Sequence, residues 1–250
     1  MYLIASYPRS GNHLVRFLVE YLTGRPTLGS RGNPADLPIH RNGFTDPALL
    51  QHVGGEPIAR KVHDEPEAAR LAQMGASRGS ILILRNPTEA LLSHVGPELR
   101  APHWLWYPWF LHRLNRGALH YFEIIRGIEV LPQPHIKLCY EDLIADDAEK
   151  FQRQLAMLVG MLGTAVIPER ADDLRQRYAE LRAMNANVTN RDWPGVRSGF
   201  DPLYYSRRAS PTTVRFVQHC LAARRREILG GHNDGPRLAF AGSEQPRSST

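Results

Sequence analysis

Short, continuously apolar runs alternate with longer amphipathic stretches over the first two thirds of the chain, and this alternation constrains the fold more than any other feature. The runs Tyr2 to Ser6, Pro57 to Val62, Ser80 to Leu84 and His135 to Cys139 predict strands. Each reads as continuous rather than alternating in polarity, the pattern of parallel strands covered on both faces. Leu14, Phe17, Leu18, Tyr21 and Leu22 share one helical face, and Glu65 to Met74, Pro87 to Val95, Pro108 to Arg126 and Ala145 to Met161 read as helices in the same way. The implied class is α/β: a central parallel sheet of four or five strands with helices on both faces. A helical last third follows Pro168, interrupted by an irregular stretch from about Asn187 to Tyr205. Thr23 to Glu56 holds many Gly, Pro, Asn and Asp residues without a sustained period and reads as a long loop with short helical turns, of a size that is functional or disordered. Residues 1–229 are predicted to form one domain. Residues 230–250, rich in Gly, Pro, Ser and charge, are predicted to form a mobile tail.

A length of 250 residues at 42% hydrophobic content supports one sizeable core and excludes collagen, coiled-coil and wholly disordered architectures. The 31 basic residues against 25 acidic give a net charge of +6, which points to an anionic partner. Lys61, Lys137 and Lys150 are the only lysines, so cationic contacts fall mainly to Arg, whose planar fork suits phosphate and sulfate. Cys139 and Cys220 are too few for a disulfide framework or a thiolate metal site. The opening residues lack the basic and long apolar regions of a secretion signal, and no apolar run approaches membrane-spanning length, so a soluble cytoplasmic protein is expected. Arg224, Arg225 and Arg226 read as the solvated end of a helix rather than a nucleic-acid patch.

The first strand runs through Tyr7 into Pro8-Arg9-Ser10-Gly11-Asn12-His13 and then into a helix. Such a turn aims backbone N–H groups and the positive end of a helix dipole at one point, which binds anions. Gly11 allows close backbone approach, Ser10 offers a hydroxyl and Arg9 a fixed charge. The ATP-binding pattern G-x-x-x-x-G-K-[ST] and the dinucleotide G-x-G-x-x-G are both absent. An ordinary βα turn with Ser10 as helix cap has the same composition.

Four segments together discriminate. Tyr7 to Asn12 resembles the 5′-phosphosulfate loop of the sulfotransferase family. Leu82 to Pro87 with Ser93 resembles its 3′-phosphate motif, in which a Ser follows the strand-end Arg by eight residues. Arg60-Lys61-Val62-His63 resembles the segment carrying the catalytic base, and Leu138 to Leu143 resembles its Tyr-Glu-Asp segment. The resemblance covers residues 2 to 143 and implies the P-loop-like sulfotransferase fold, binding 3′-phosphoadenosine-5′-phosphosulfate and releasing 3′,5′-ADP without a metal. It assigns the 5′ end of the nucleotide to Arg9, Ser10, Gly11, Asn12 and His13, the 3′-phosphate to Arg85 and Ser93, and a further contact to Tyr140. His63 would be the general base toward an acceptor hydroxyl of a carbohydrate, alcohol or phenol, with Lys61 and Arg9 stabilising charge on the departing oxygen. Asp64 and Glu65 are the alternative bases.

The resemblance thins beyond that span. Arg197 and Gly199 keep part of a C-terminal 3′-phosphate motif whose second Gly and Trp are missing, and His13 stands where a Thr is usual. Five aromatic residues crowd the segment from His103 to Phe110. Trp104 and Trp106, expected ahead of the helix, are candidate walls of an acceptor pocket, while Trp109 and Phe110 are expected in the core. Two other functions fit the fold: a nucleotide kinase with a degenerate P-loop and Asp142 as a Mg²⁺ ligand, or a nucleotide-binding protein without activity. The short dimerisation segment of some relatives is absent, which leaves the oligomeric state open.

Overall fold

In a computed structural model, residues 1–29, 54–94, 103–145, 147–176, 203–207 and 209–230 are described, the first five residues of the 103–145 stretch by their backbone alone. Strands β1 (Tyr2–Ser6), β2 (Thr27–Leu28), β3 (Ala59–Val62), β4 (Gly79–Leu84) and β5 (His135–Cys139) form one parallel sheet in the order β2-β3-β1-β4-β5. The connecting helices are α1 (Asn12–Thr23), α2 (Glu65–Gln73), α3 (Pro87–His94), α4 (His103–Glu129), α5 (Tyr140–Ile144) and α6 (Ala148–Leu162), with α7 (Pro211–Leu229) closing the described chain. Among the described residues no helix is long and apolar enough to cross a membrane.

Strand residues feed two cores in alternation, as the opposed side chains of a pleated strand require. Ile4, Ala59, Ile81, Ile83 and Leu138 pack under α1, α6 and the helical residues 168–176. Leu3, Ala5, Val62 and Leu82 pack on the other face under α2, α3, α4 and α7. Continuous apolar runs in the sequence are thus the signature of strands buried on both sides. The order reverses at β1: the chain leaves β1 for β2 and β3 on one side and then crosses to β4 on the other, so the turns after β1 and β4 open a crevice at the carboxyl edge.

Three expectations need correction. Thr23 to Glu56 is not wholly loop, because Thr27 and Leu28 pair with Ala59 and Arg60 as β2. Helix α4 begins at His103 and carries Pro108 in its interior, so Trp104 and Trp106 lie within the helix rather than ahead of it. Proline removes one bond there, to the carbonyl four residues back, close to a helix start where few bonds are yet made. Trp109 is 42% exposed and is therefore not core; Arg113 lies over its ring at 4.7 Å. Phe110 does pack, half-buried, against the second core. In α7, Arg224 donates to Asn115 Oδ1 at 3.0 Å and pairs with Glu227, so this part of the basic run ties α7 to α4.

The edge strand β2 is anchored by a buried polar group rather than by length. Thr27 donates to Glu20 Oε1 through its N–H at 2.8 Å and its hydroxyl at 2.6 Å, and Arg16 Nε donates to Thr27 Oγ1 at 2.9 Å. Burial pushes the Glu20 carboxyl up to about 7, with the Thr27 bonds and the Arg16 charge opposing the rise. The folded state therefore holds this proton more tightly than the unfolded chain. The resulting stabilisation is complete below the ordinary value of 4.5 and is lost as pH rises through about 7. Denaturant unfolding at a series of pH values between about 5 and 8 should show the parent losing stability relative to Glu20→Gln as pH rises, and parallel profiles would contradict this.

Candidate active site

The turn after β1 is built around two left-handed residues, Arg9 at φ 67° and Gly11 at φ 91°. Ser10 N–H donates to the Tyr7 carbonyl at 3.2 Å, closing the turn, and Gly11 caps α1 without any side-chain hydrogen bond to the helix start. With glycine as the capping residue, the positive end of α1 receives no hydrogen bond from a cap side chain and opens at the loop. Asn12 Nδ2 donates to Ser6 Oγ at 3.1 Å and lies 3.5 Å from the Ile4 carbonyl, strapping the helix start to β1. Ser10 Oγ and Asn12 Oδ1 are buried and have no hydrogen-bond partner among the described residues. A buried hydroxyl without a partner costs roughly 1–3 kcal/mol, and its occurrence beside an uncapped helix start is what a site shaped for an anion looks like.

The turn after β4 reaches the same place. Arg85 Nη1 donates to the Arg9 carbonyl at 2.5 Å, and Arg9 Nε lies 3.5 Å from Ser93 Oγ on α3. The Arg85 guanidinium carbon sits 4.9 Å from the centre of the Tyr140 ring, and that ring also covers Gly11. A Cβ at position 11 would fall 2.6 Å from Tyr140 Cε2, so only glycine fits. Asn86 Oδ1 caps α3 by accepting from Thr88 N–H at 3.0 Å, and Asn86 N–H donates to Glu141 Oε1 at 2.8 Å. Asp142 accepts from Gln154 Nε2 at 3.0 Å, and Gln154 Oε1 accepts from Cys139 N–H at 2.9 Å. The three members of the Tyr-Glu-Asp segment therefore act differently, since Tyr140 stacks, Glu141 holds the β4 turn and Asp142 ties to α6. Burial pushes the Tyr140 hydroxyl up and the Cys139 thiol up to about 11, so neither ionises near neutrality.

His63 follows β3 directly. Its Nδ1 lies 2.7 Å from the Ser6 carbonyl, which can only accept, so Nδ1 carries the proton and the lone pair of the neutral ring is on Nε2. His120 Nε2 donates to the His63 carbonyl at 2.5 Å. Lys61 lies in β3 level with Ile4 and is half-buried. The two alternative carboxylates have structural roles. Asp64 Oδ1 caps α2 by accepting from Glu67 N–H at 2.8 Å, and Glu65 packs on Gly127 of α4, where an added Cβ would meet Glu65 Cβ at 2.8 Å. His13 is exposed on the first turn of α1.

Arg9, Ser10, Gly11, Asn12, Arg85, Ser93 and Tyr140 are thus brought into one cluster, with His63 joined to it through Ser6. Arg197 and Gly199 lie outside the described residues, as do the side chains of Trp104 and Trp106. Sequence reasoning missed Tyr121, whose hydroxyl donates to the Arg85 carbonyl at 2.5 Å; Tyr7, which opens the first motif, is buried against His94, His120 and Tyr121 with its hydroxyl 2.8 Å from His94 Nδ1. Aromatic residues on an apolar helix face carry no local sign that their hydroxyls serve a distant turn. Among the described residues no group of three or more His, Cys, Asp or Glu is placed to hold a metal ion.

This is a sulfotransferase-like α/β fold. The solved structure of mouse sulfotransferase SULT7A1, complexed with PAP, superposes with a TM-score of 0.53 over 90% of this chain and 83% of that one, at 16% identity. No family model matches the chain, and no curated protein does so by sequence.

Gly11→Ala should force a Cβ into the Tyr140 ring at a positive φ and lower stability by about 2 kcal/mol or more in chemical denaturation. Gly160→Ala, whose Cβ meets nothing within 4 Å on α6, should be neutral or stabilising. Equal effects would remove the packing argument.

Proposed function

We propose that the chain is a sulfotransferase that moves a sulfuryl group from 3′-phosphoadenosine-5′-phosphosulfate to the hydroxyl of a carbohydrate or a small-molecule alcohol or phenol. The observation that carries the reading is the junction of two anion-binding turns: Arg85, from the turn after β4, donates to the carbonyl of Arg9 in the turn after β1. A ligand with anionic groups at both the 5′ and 3′ positions of one ribose meets both turns, and the PAP in the mouse sulfotransferase structure is such a nucleotide. The unpartnered Ser10 hydroxyl and the uncapped start of α1 suit the 5′ end, and Arg85 and Ser93 suit the 3′-phosphate.

In the transfer, the acceptor oxygen bonds to sulfur as the bond from sulfur to the bridging phosphate oxygen breaks, and 3′,5′-ADP leaves. His63 takes the acceptor proton on Nε2, the atom made basic by the Nδ1 bond to Ser6. Arg9 and Lys61 oppose the charge that develops on the departing phosphate oxygen. The Ser6 carbonyl also favours the imidazolium once it forms, since Nδ1 remains a donor to it. On this proposal the acceptor is a hydroxyl compound rather than a nucleic acid, and the reaction is a cytoplasmic one.

Thermal unfolding should shift upward with 3′,5′-ADP in the absence of metal, by a few degrees at saturating ligand. Stabilisation by ATP with Mg²⁺ and none by 3′,5′-ADP would make the protein a kinase instead. With labelled 3′-phosphoadenosine-5′-phosphosulfate and a panel of alcohols and phenols, His63→Ala should lose transfer by at least about a hundredfold while its 3′,5′-ADP affinity changes little. Full transfer in that variant would eliminate His63 as the base.

A further inference from the structure

Glu89 on α3 is wholly buried, yet it enters no ion pair among the described residues. It lies midway in sequence between Arg85, in the turn before α3, and Ser93, on α3, so the helix that presents one proposed 3′-phosphate ligand and follows the other also carries this carboxylate. Both of its oxygens are used on a distant segment. Oε2 accepts from Tyr205 N–H at 2.9 Å, and Oε1 accepts from Ser206 N–H at 2.9 Å and from the Ser206 hydroxyl. A buried carboxylate is costly unless its lone pairs are filled, and here they are filled by consecutive backbone amides that cannot slide without losing the match. Residues 203–207 are thereby locked in one register against α3.

The lock has an effect at Arg85. The Tyr205 ring is held with its centre 5.9 Å from the Arg85 guanidinium carbon, which already has the Tyr140 ring at 4.9 Å, while its Nη1 has the Arg9 carbonyl at 2.5 Å. Two aromatic rings and a carbonyl restrict a side chain that would otherwise sample many rotamers, and a restricted guanidinium loses less entropy when it meets a phosphate. We propose that Glu89 and Tyr205 are positioning residues that act through Arg85 to make the site select nucleotides bearing a 3′-phosphate. Glu89 holds the turn, Tyr205 holds the guanidinium, and neither needs to touch the ligand. The inference rests on the assignment of Arg85 to the 3′-phosphate above and adds what sets its selectivity.

Calorimetric titration of the full chain with 3′,5′-ADP and with 5′-AMP, which differ only in the 3′-phosphate, tests it. The parent should bind 3′,5′-ADP at least about tenfold more tightly. Tyr205→Ala and Glu89→Gln should each reduce that preference by about fivefold to tenfold, chiefly through weaker 3′,5′-ADP binding, with 5′-AMP affinity within about twofold of the parent. Tyr205→Phe, which keeps the ring, should restore the preference. If Glu89→Gln does not fold, the half-buried Tyr205 still decides the matter. A parent that shows no preference removes the functional reading and this inference with it. A parent with the preference, combined with a Tyr205→Ala variant that retains it or weakens both nucleotides equally, removes the positioning role alone.

Discussion

The parallel pairing of β1 with β3 on one side and β4 on the other is the constraint on which the rest of the molecule depends. Because all three strands run in the same direction, their exit turns emerge at one edge, and residues 9, 63 and 85 become neighbours through backbone hydrogen bonding alone. Apolar contacts secure that pairing from both faces: Ile4 and Ile81 from one core, Leu3 and Leu82 from the other. Any group placed at a strand end inherits a position set by the sheet, to which the turns add bonds of their own, such as Ser10 N–H to the Tyr7 carbonyl.

Charge at this edge is arranged by dipoles as much as by formal cations. The starts of α1 and α3 both face it, one uncapped and one capped by Asn86, and Arg85 is tethered to a backbone carbonyl and aromatic rings. The carboxylates nearby are occupied elsewhere: Glu141 by Asn86, Asp142 by Gln154, Glu89 by the 203–207 turn. Each of these carboxylates accepts from backbone N–H or amide donors, and none forms an ion pair with Arg85 among the described residues.

Much of this was readable in advance because it is local. The strands β1 and β5 end where the predicted runs end, and the four motif segments each lie at the carboxyl end of a strand. Strand β3 starts at Ala59 rather than Pro57, since proline has no N–H for the ladder. Strand β2 was invisible: two residues carry no periodicity, and what holds Thr27 is a glutamate on another element. The same holds for Tyr121, His120, Glu89 and Tyr205, whose partners lie between 36 and 117 residues away. Contacts of that span leave no periodic or compositional trace, so they emerge only when the sheet brings the segments together.

Arg9 adopts a backbone conformation that a side chain disfavours by about 1–2 kcal/mol and that glycine accepts freely. A chain drifting under demand for durability alone would be expected to exchange this arginine for glycine, gaining ease of folding and losing a cation at the loop. The residue at position 9 is thus a point where thermal hardiness and chemical competence pull against each other, and directed evolution toward heat resistance would have to be watched there first.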